Sequence, residues 1–200
     1  MKSNVLIALL FLATIVAYQD GALAAEDTSS RLETLGIGSD AGFPDGLEME
    51  LRSIDAEFDV AYLECQGIES IEPTYGKLFQ AAVRQRLLGR DMNIYLVSHN
   101  DPLHSPDEET ILEPAISLKA ESRVASPIKV QTIPGGQYLV VRHRGDYEKL
   151  AETFSQFQEW AKAVELSFDD RPVFEHFLTN PDSTPVKDWL TEIYFPVATD

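Results

Sequence analysis

The chain has 200 residues, with 33 acidic against 16 basic side chains and a formal net charge of −17. So negative a protein repels phosphate backbones, which argues against direct nucleic-acid binding. Its one cysteine, Cys65, excludes an internal disulfide, so stability has to come from an ordinary hydrophobic core.

The N-terminus begins with Met1-Lys2, continues as an apolar run from Val5 to Ala17, and offers small residues at Ala22-Leu23-Ala24. This pattern predicts a signal peptide over residues 1–24, cut after Ala24 or Ala25. The apolar run is shorter than the ~20 residues of a membrane span. The expectation is an exported protein, periplasmic or secreted, without stable membrane insertion after cleavage. Residues 25–46 are rich in Ser, Gly and Asp and read as a flexible linker. Gly36-Ile37-Gly38 lies there without a preceding strand and is not a dinucleotide loop.

One domain is predicted over residues 47–200. Apolar and polar residues alternate from Glu48 to Ile54, and Phe58 to Glu64 forms a second strand closed by Gly67. Ile71, Tyr75, Leu78, Phe79 and Ala82 follow at helical spacing, with Pro73 in the first turn. Met92–Val97 and Ile111–Leu118 are strands, separated by a polar, acidic loop from His99 to Thr110. The same order then returns. Ile128–Ile133 and Tyr138–His143 are strands around a Pro134-Gly135-Gly136 turn. Leu150, Ala151, Phe154, Phe157 and Ala161 mark a helix. Val173–Leu178 and Leu190–Val197 are strands around a loop.

Met49, Leu51 and Ile54 match Ile128, Val130 and Ile133 at one constant displacement, and Glu113 matches Glu192 at the same displacement. The chain therefore reads as a duplicated strand-strand-helix-strand-strand unit, with halves at about 48–118 and 128–197. The predicted class is α+β: an antiparallel sheet, strands joined by tight turns pairing with each other, two main helices on one face, and a pseudo-two-fold cleft. Seams of this kind are common ligand sites.

The second half carries a resemblance. Gln137-Tyr138-Leu139-Val140-Val141-Arg142-His143-Arg144-Gly145-Asp146-Tyr147 opens a helix containing Glu159-Trp160-Ala161. Asn180-Pro181-Asp182 and Thr191-Glu192-Ile193-Tyr194-Phe195-Pro196-Val197 follow. In order and spacing this resembles the GyrI-like small-molecule-binding domain, the effector-binding domain of AraC- and MerR-type regulators, here as an exported stand-alone member. The resemblance spans roughly Glu48 to Val197 and is stronger in the second half. It implies a cleft between the halves lined by aromatics, with a buried acid on the last strand. The position matching that acid is Glu192, and Tyr147 and Trp160 match aromatic positions around the helix. Many members carry a tyrosine on the third strand of the second half, where this chain reads Glu175-His176-Phe177. No DNA-binding segment is expected beside the domain, because the predicted signal peptide and linker occupy its place, and the gyrase inhibition of cytosolic relatives is not carried over.

Glu192 sits among Ile193, Tyr194, Phe195 and Val197. A carboxylate there faces solvent, pairs internally, or awaits a cation. Alternation places Tyr194 on its side of the strand. The expected ligand residues are Glu192, Tyr194, Trp160, Tyr147 and His176, and an acid beside aromatic faces suits a cationic or lipophilic aromatic ligand. Trp160 and Tyr147 also fit a plain core role, as Glu113 fits a surface one. His99 and His104 lie near acids without a metal-ligand spacing, so no metal and no cofactor is expected. The reading is a module that binds a small amphipathic molecule. Two alternatives stand beside it: a hydrolase of cyclopropane-type genotoxins, with Glu192 acting on a water, and a haem binder like the SOUL group, for which no histidine lies on a convincing helix face.

Overall fold

The computed structural model describes residues 44, 46–101, 103–104 and 108–198. The predicted signal peptide and most of the linker lie outside these residues.

The strands are β1 (Glu48–Ile54), β2 (Phe58–Tyr62), β3 (Cys65–Gln66), β4 (Ile94–Ser98), β5 (Ile111–Ser117), β6 (Lys129–Ile133), β7 (Gly136–Arg144), β8 (Val173–Phe177) and β9 (Leu190–Pro196). The helices are α1 (Ile71–Gln85) and α2 (Leu150–Ala163). The strands form one antiparallel sheet in the order β1-β7-β9-β8-β4-β5-β2-β6, with β3 on β5. The predicted second strand is split: it ends at Tyr62, and a half-buried Cys65 resumes pairing with Leu112.

The order shows how the repeat assembles. At the centre β4 pairs with β8, and the register Tyr95↔His176, Leu96↔Glu175, Val97↔Phe174 maps onto itself when the halves are exchanged. Leu96 and Glu175 therefore lie on the pseudo-two-fold axis. At the edges the halves trade their first strands, for β1 pairs with β7 and β6 pairs with β2. This corrects the expected pairing of β1 with β2 and of β6 with β7, whereas β4 pairs with β5 and β8 with β9 as consecutive strands should. The connection from β1 to β2 crosses between the halves, as Pro134-Gly135 does from β6 to β7, so neither forms a hairpin.

Period-two alternation divides the sheet into two faces. One carries both helices. Leu139, Val141, Ile193 and Phe195 pack under α2 with Phe154, Phe157, Trp160 and Ala161. Ala61, Ile116 and Ile94 pack under α1 with Tyr75, Leu78 and Ala82. The fully buried Phe157 stacks on Phe195 with ring centroids 3.8 Å apart. The opposite, inner face holds Val60, Tyr95, Val97, Tyr138, Phe174 and Tyr194. It is packed too, with Phe174 stacked on Tyr194 at 4.4 Å.

The helices begin and end as their sequences dictate. Asp146 accepts from the Glu148 N–H at 3.1 Å and opens the turn that leads into α2. Arg86 closes α1 in the left-handed conformation. Gly145 has φ +114°, a conformation strained for a side chain, and its N–H donates to the Trp189 carbonyl at 2.9 Å. Gly67 holds the equivalent turn of the first half at φ +76°.

Candidate functional site

Two acids of the second half have opposite surroundings. Glu192 lies on the inner face, only 2% exposed. Arg52 reaches it from β1 with both terminal nitrogens, Nη1 to Oε2 at 2.7 Å and Nη2 to Oε1 at 2.9 Å. Arg142 Nε donates to Oε1 at 3.0 Å, and the Tyr194 hydroxyl donates to Oε2 at 2.8 Å. Arg52 also bonds the Tyr194 hydroxyl and Glu50, and Arg142 stands 3.6 Å from Glu50. Burial pulls the Glu192 carboxyl upward, but Arg52, Tyr194 and Arg142 outweigh it and hold the group down at about 2. Of the three readings open to a carboxylate in this strand, internal pairing is the one realised.

Glu175 is on the helix face, at the pseudo-two-fold axis. Burial alone acts on its carboxyl and lifts it to about 7. Among the described residues nothing donates to it. Phe177, two residues along the same face, meets Tyr75 of α1 at 6.4 Å and Tyr147 at 5.4 Å, both edge-on. Tyr147 leans on Trp189 at 5.2 Å. Both tyrosines are pushed up by burial and then by the Glu175 charge, Tyr147 to about 12. Next to Glu175 a hollow opens between Leu96, Phe154 and Val173, rimmed by Ser98, Asn100 and Asp101. Glu175 thus lies at the edge of a small hollow on the helix face, with the rings of Phe177, Tyr75 and Tyr147 further along that face.

A family model describing the GyrI-like small molecule binding domain matches residues 50–198. The chain belongs to the GyrI-like family. A DNA gyrase inhibitor from Pantoea sp. (strain At-9b) is 27% identical over 135 residues, which cover 64% of this chain and 83% of that protein. Two solved structures share the fold at low identity. The C-terminal domain of EcmrR is 17% identical, with TM-score 0.63, 78% of this chain and 99% of that one covered. SAV2435 bound to tetraphenylphosphonium is 16% identical, with TM-score 0.55 and 76% and 94% covered.

In this GyrI-like domain the five residues expected to bind ligand are divided between faces. Glu192 and Tyr194 share the inner face with His176, which pairs across from Glu192 and lies 4.7 Å from the Tyr95 ring. Burial drives that imidazole down to about 4. Tyr147 is on the helix face, edge-on to Phe177. Trp160 is buried in the core under α2, in contact with Phe157, and does not join Glu192. Of the expected charge partner Glu192 and walls Tyr147, Trp160 and Tyr194, strand alternation puts Glu192 and Tyr194 on one face of the sheet and Tyr147 and Trp160 on the other. Sequence reading passed over Glu175 and Tyr75. The available signal was the displacement of the repeat, which sets Glu175 opposite an apolar residue, Leu96, and so marks an acid where the scaffold needs none.

Proposed function

We propose that this domain binds a small amphipathic molecule, cationic at one end, in the groove between α1 and α2. The supporting observation is Glu175, a carboxyl on the symmetry axis with aromatic neighbours and no internal partner. A cation placed there supplies the missing charge and lowers the cost of ionising the acid. Tyr147, Phe177 and Tyr75 offer ring faces and edges to the apolar part. Glu192, with its donors already in place, acts as an internal strut beside this site. SAV2435 in complex with tetraphenylphosphonium makes that cation a suitable probe.

Trp189 lies against Tyr147, so ligand entering the groove changes tryptophan fluorescence. The expected result is saturable quenching by tetraphenylphosphonium, with Glu175→Gln weakening affinity about ten-fold or more and Glu192→Gln changing it little. Unchanged affinity in Glu175→Gln overturns the reading.

We further propose that the protein is exported and works after loss of residues 1–24. The mature chain from a periplasmic or secreted fraction is expected to begin at Ala25 or Glu26, and recovery with Met1 intact overturns this. Hydrolysis in the same groove is the second reading. A carboxyl near 7 suits proton transfer to or from water at neutral pH. Product formed from a cyclopropane-containing substrate, and lost in Glu175→Gln, would replace binding with catalysis.

A further inference from the structure

The inner face carries a second buried acid, and it differs from Glu192 by one positive charge. Glu113, on β5, is 4% exposed. In the strand registers of the repeat, Glu113, Gln131, Glu64 and Lys129 stand where Glu192, Arg52, Arg142 and Glu50 stand, the Glu64–Arg142 equivalence being one residue shorter in displacement than the other three. The outer pair is kept with its signs reversed: Lys129 holds Glu64 at 2.6 Å where Arg142 faces Glu50 at 3.6 Å. The inner pair is not kept. Where Arg52 clamps Glu192, the neutral Gln131 amide donates to Glu113. Where Tyr194 donates to Glu192, the first half has Ala115, which has no hydroxyl to give. Glu192, Glu50, Arg52 and Arg142 sum to zero charge, whereas Glu113, Glu64, Lys129 and Gln131 leave one negative charge, which His99 balances only in its protonated form, favoured by Glu113.

The hydrogen bonds of Glu113 are lopsided as well. Gln131 Nε2 and His99 Nε2, the latter at 3.1 Å, both meet Oε2. Oε1 has no donor among the described residues. The His99 side chain on this corner is 52% exposed, so the corner borders the protein surface. The half-buried Tyr62 ring stands beside it, its hydroxyl pushed up by burial and then by the Glu113 charge.

We infer that Glu113 anchors a second ligand site, on the opposite side of the sheet from the groove, for a small organic cation bearing N–H donors, such as an amidinium or alkylammonium group. The cation takes the part that the Arg52 guanidinium plays for Glu192. It donates to Oε1, restores the charge balance of the inner face, and sets its apolar body against Tyr62. This site does not rest on the reading of the groove.

Benzamidine, an amidinium on an aromatic ring, is the probe, titrated calorimetrically into the protein at a series of alkaline pH values, because Glu113 raises the His99 imidazole and so favours a competing cation that rising pH removes. The native chain is expected to bind it. Glu113→Gln is expected to weaken binding about ten-fold or more. Because benzamidine also suits the site proposed at Glu175, these variants are made in a Glu175→Gln background, which is expected to keep binding at Glu113. There Gln131→Arg, which imports the internal cation of the other half while keeping the acid, is expected to abolish binding. No binding to the native chain, or undiminished binding after Gln131→Arg, overturns the inference. So does loss of all benzamidine binding in Glu175→Gln alone, which would place the cation at Glu175 and support the function proposed there.

Discussion

Arg52 and Glu192 are 140 positions apart in the chain, yet they form a two-pronged ion pair at 2.7 and 2.9 Å across the inner face. The pair exists because β1 leaves its own half and lies along β7, one strand away from β9. It joins the first strand of one half to the last strand of the other.

Truncating Arg52 leaves a nearly buried carboxylate with fewer donors, at a cost that exceeds an ordinary surface pair. Arg52→Ala is expected to lower unfolding free energy by about 2–4 kcal/mol. Gln131→Ala, at the equivalent place beside Glu113, removes a neutral donor and is expected to cost about 1 kcal/mol. Urea denaturation of the two variants checks the asymmetry, and equal losses would contradict it.

Three buried groups set the response to pH, with opposing signs. Glu175, raised to about 7, is more easily protonated folded than unfolded, so its contribution is full below the ordinary carboxylate range and is lost as pH rises to about 7. His176, lowered to about 4, is kept neutral by the fold, so its contribution is lost as pH falls from 6.5 to about 4. Glu192, held at about 2, adds a further loss as pH falls from 4.5 toward 2. Between pH 4.5 and 6.5 the first two nearly cancel. The native chain is expected to show a flat stability profile there. Glu175→Gln should make stability climb with pH across that window, and His176→Gln should make it fall. Denaturant midpoints at a series of pH values test both.

The exchange of first strands predicts a remote effect of truncation. Removing residues through Ile54 uncovers the edge of β7, although β7 belongs to the second half. Hydrogen exchange is expected to accelerate at Leu139 and Val141, whose partners Leu51 and Met49 are gone, more than at β5. Uniform protection would count against the pairing.

Phe157 anchors α2 to the sheet through its stack on Phe195. Phe157→Ala leaves a cavity at a fully buried site, and the expected cost is about 3–5 kcal/mol, measured by chemical denaturation. Ligand affinity in the groove should fall with it, because the same helix carries Phe154 to the hollow beside Glu175.

Much of the scaffold was legible because its signals are local. Alternation in Glu48–Ile54 and the helical spacing of Leu150, Phe154, Phe157 and Ala161 state which residues face a core, and Gly67 and Gly145 mark turns that need positive φ. The constant displacement announced the duplication, and with it the equivalence of Glu113 and Glu192. Local signals cannot say which strand lies beside which: β4 with β5 and β8 with β9 pair as consecutive strands, but β1 with β2 and β6 with β7 do not.

The sequence by itself determined the elements, the repeat and the side of the strand on which each side chain points, because these follow from backbone periodicity and steric preference. Only the tertiary structure decided which acid is satisfied. Glu192 is neutralised because a strand from the other half brings Arg52 to it. Glu175 has no ion-pair partner among the described residues, because the symmetry axis sets it opposite the apolar Leu96 and no cation is brought to it there. Charge pairing depends on distance in space, and distance in space is what the exchanged strands of this sheet arrange.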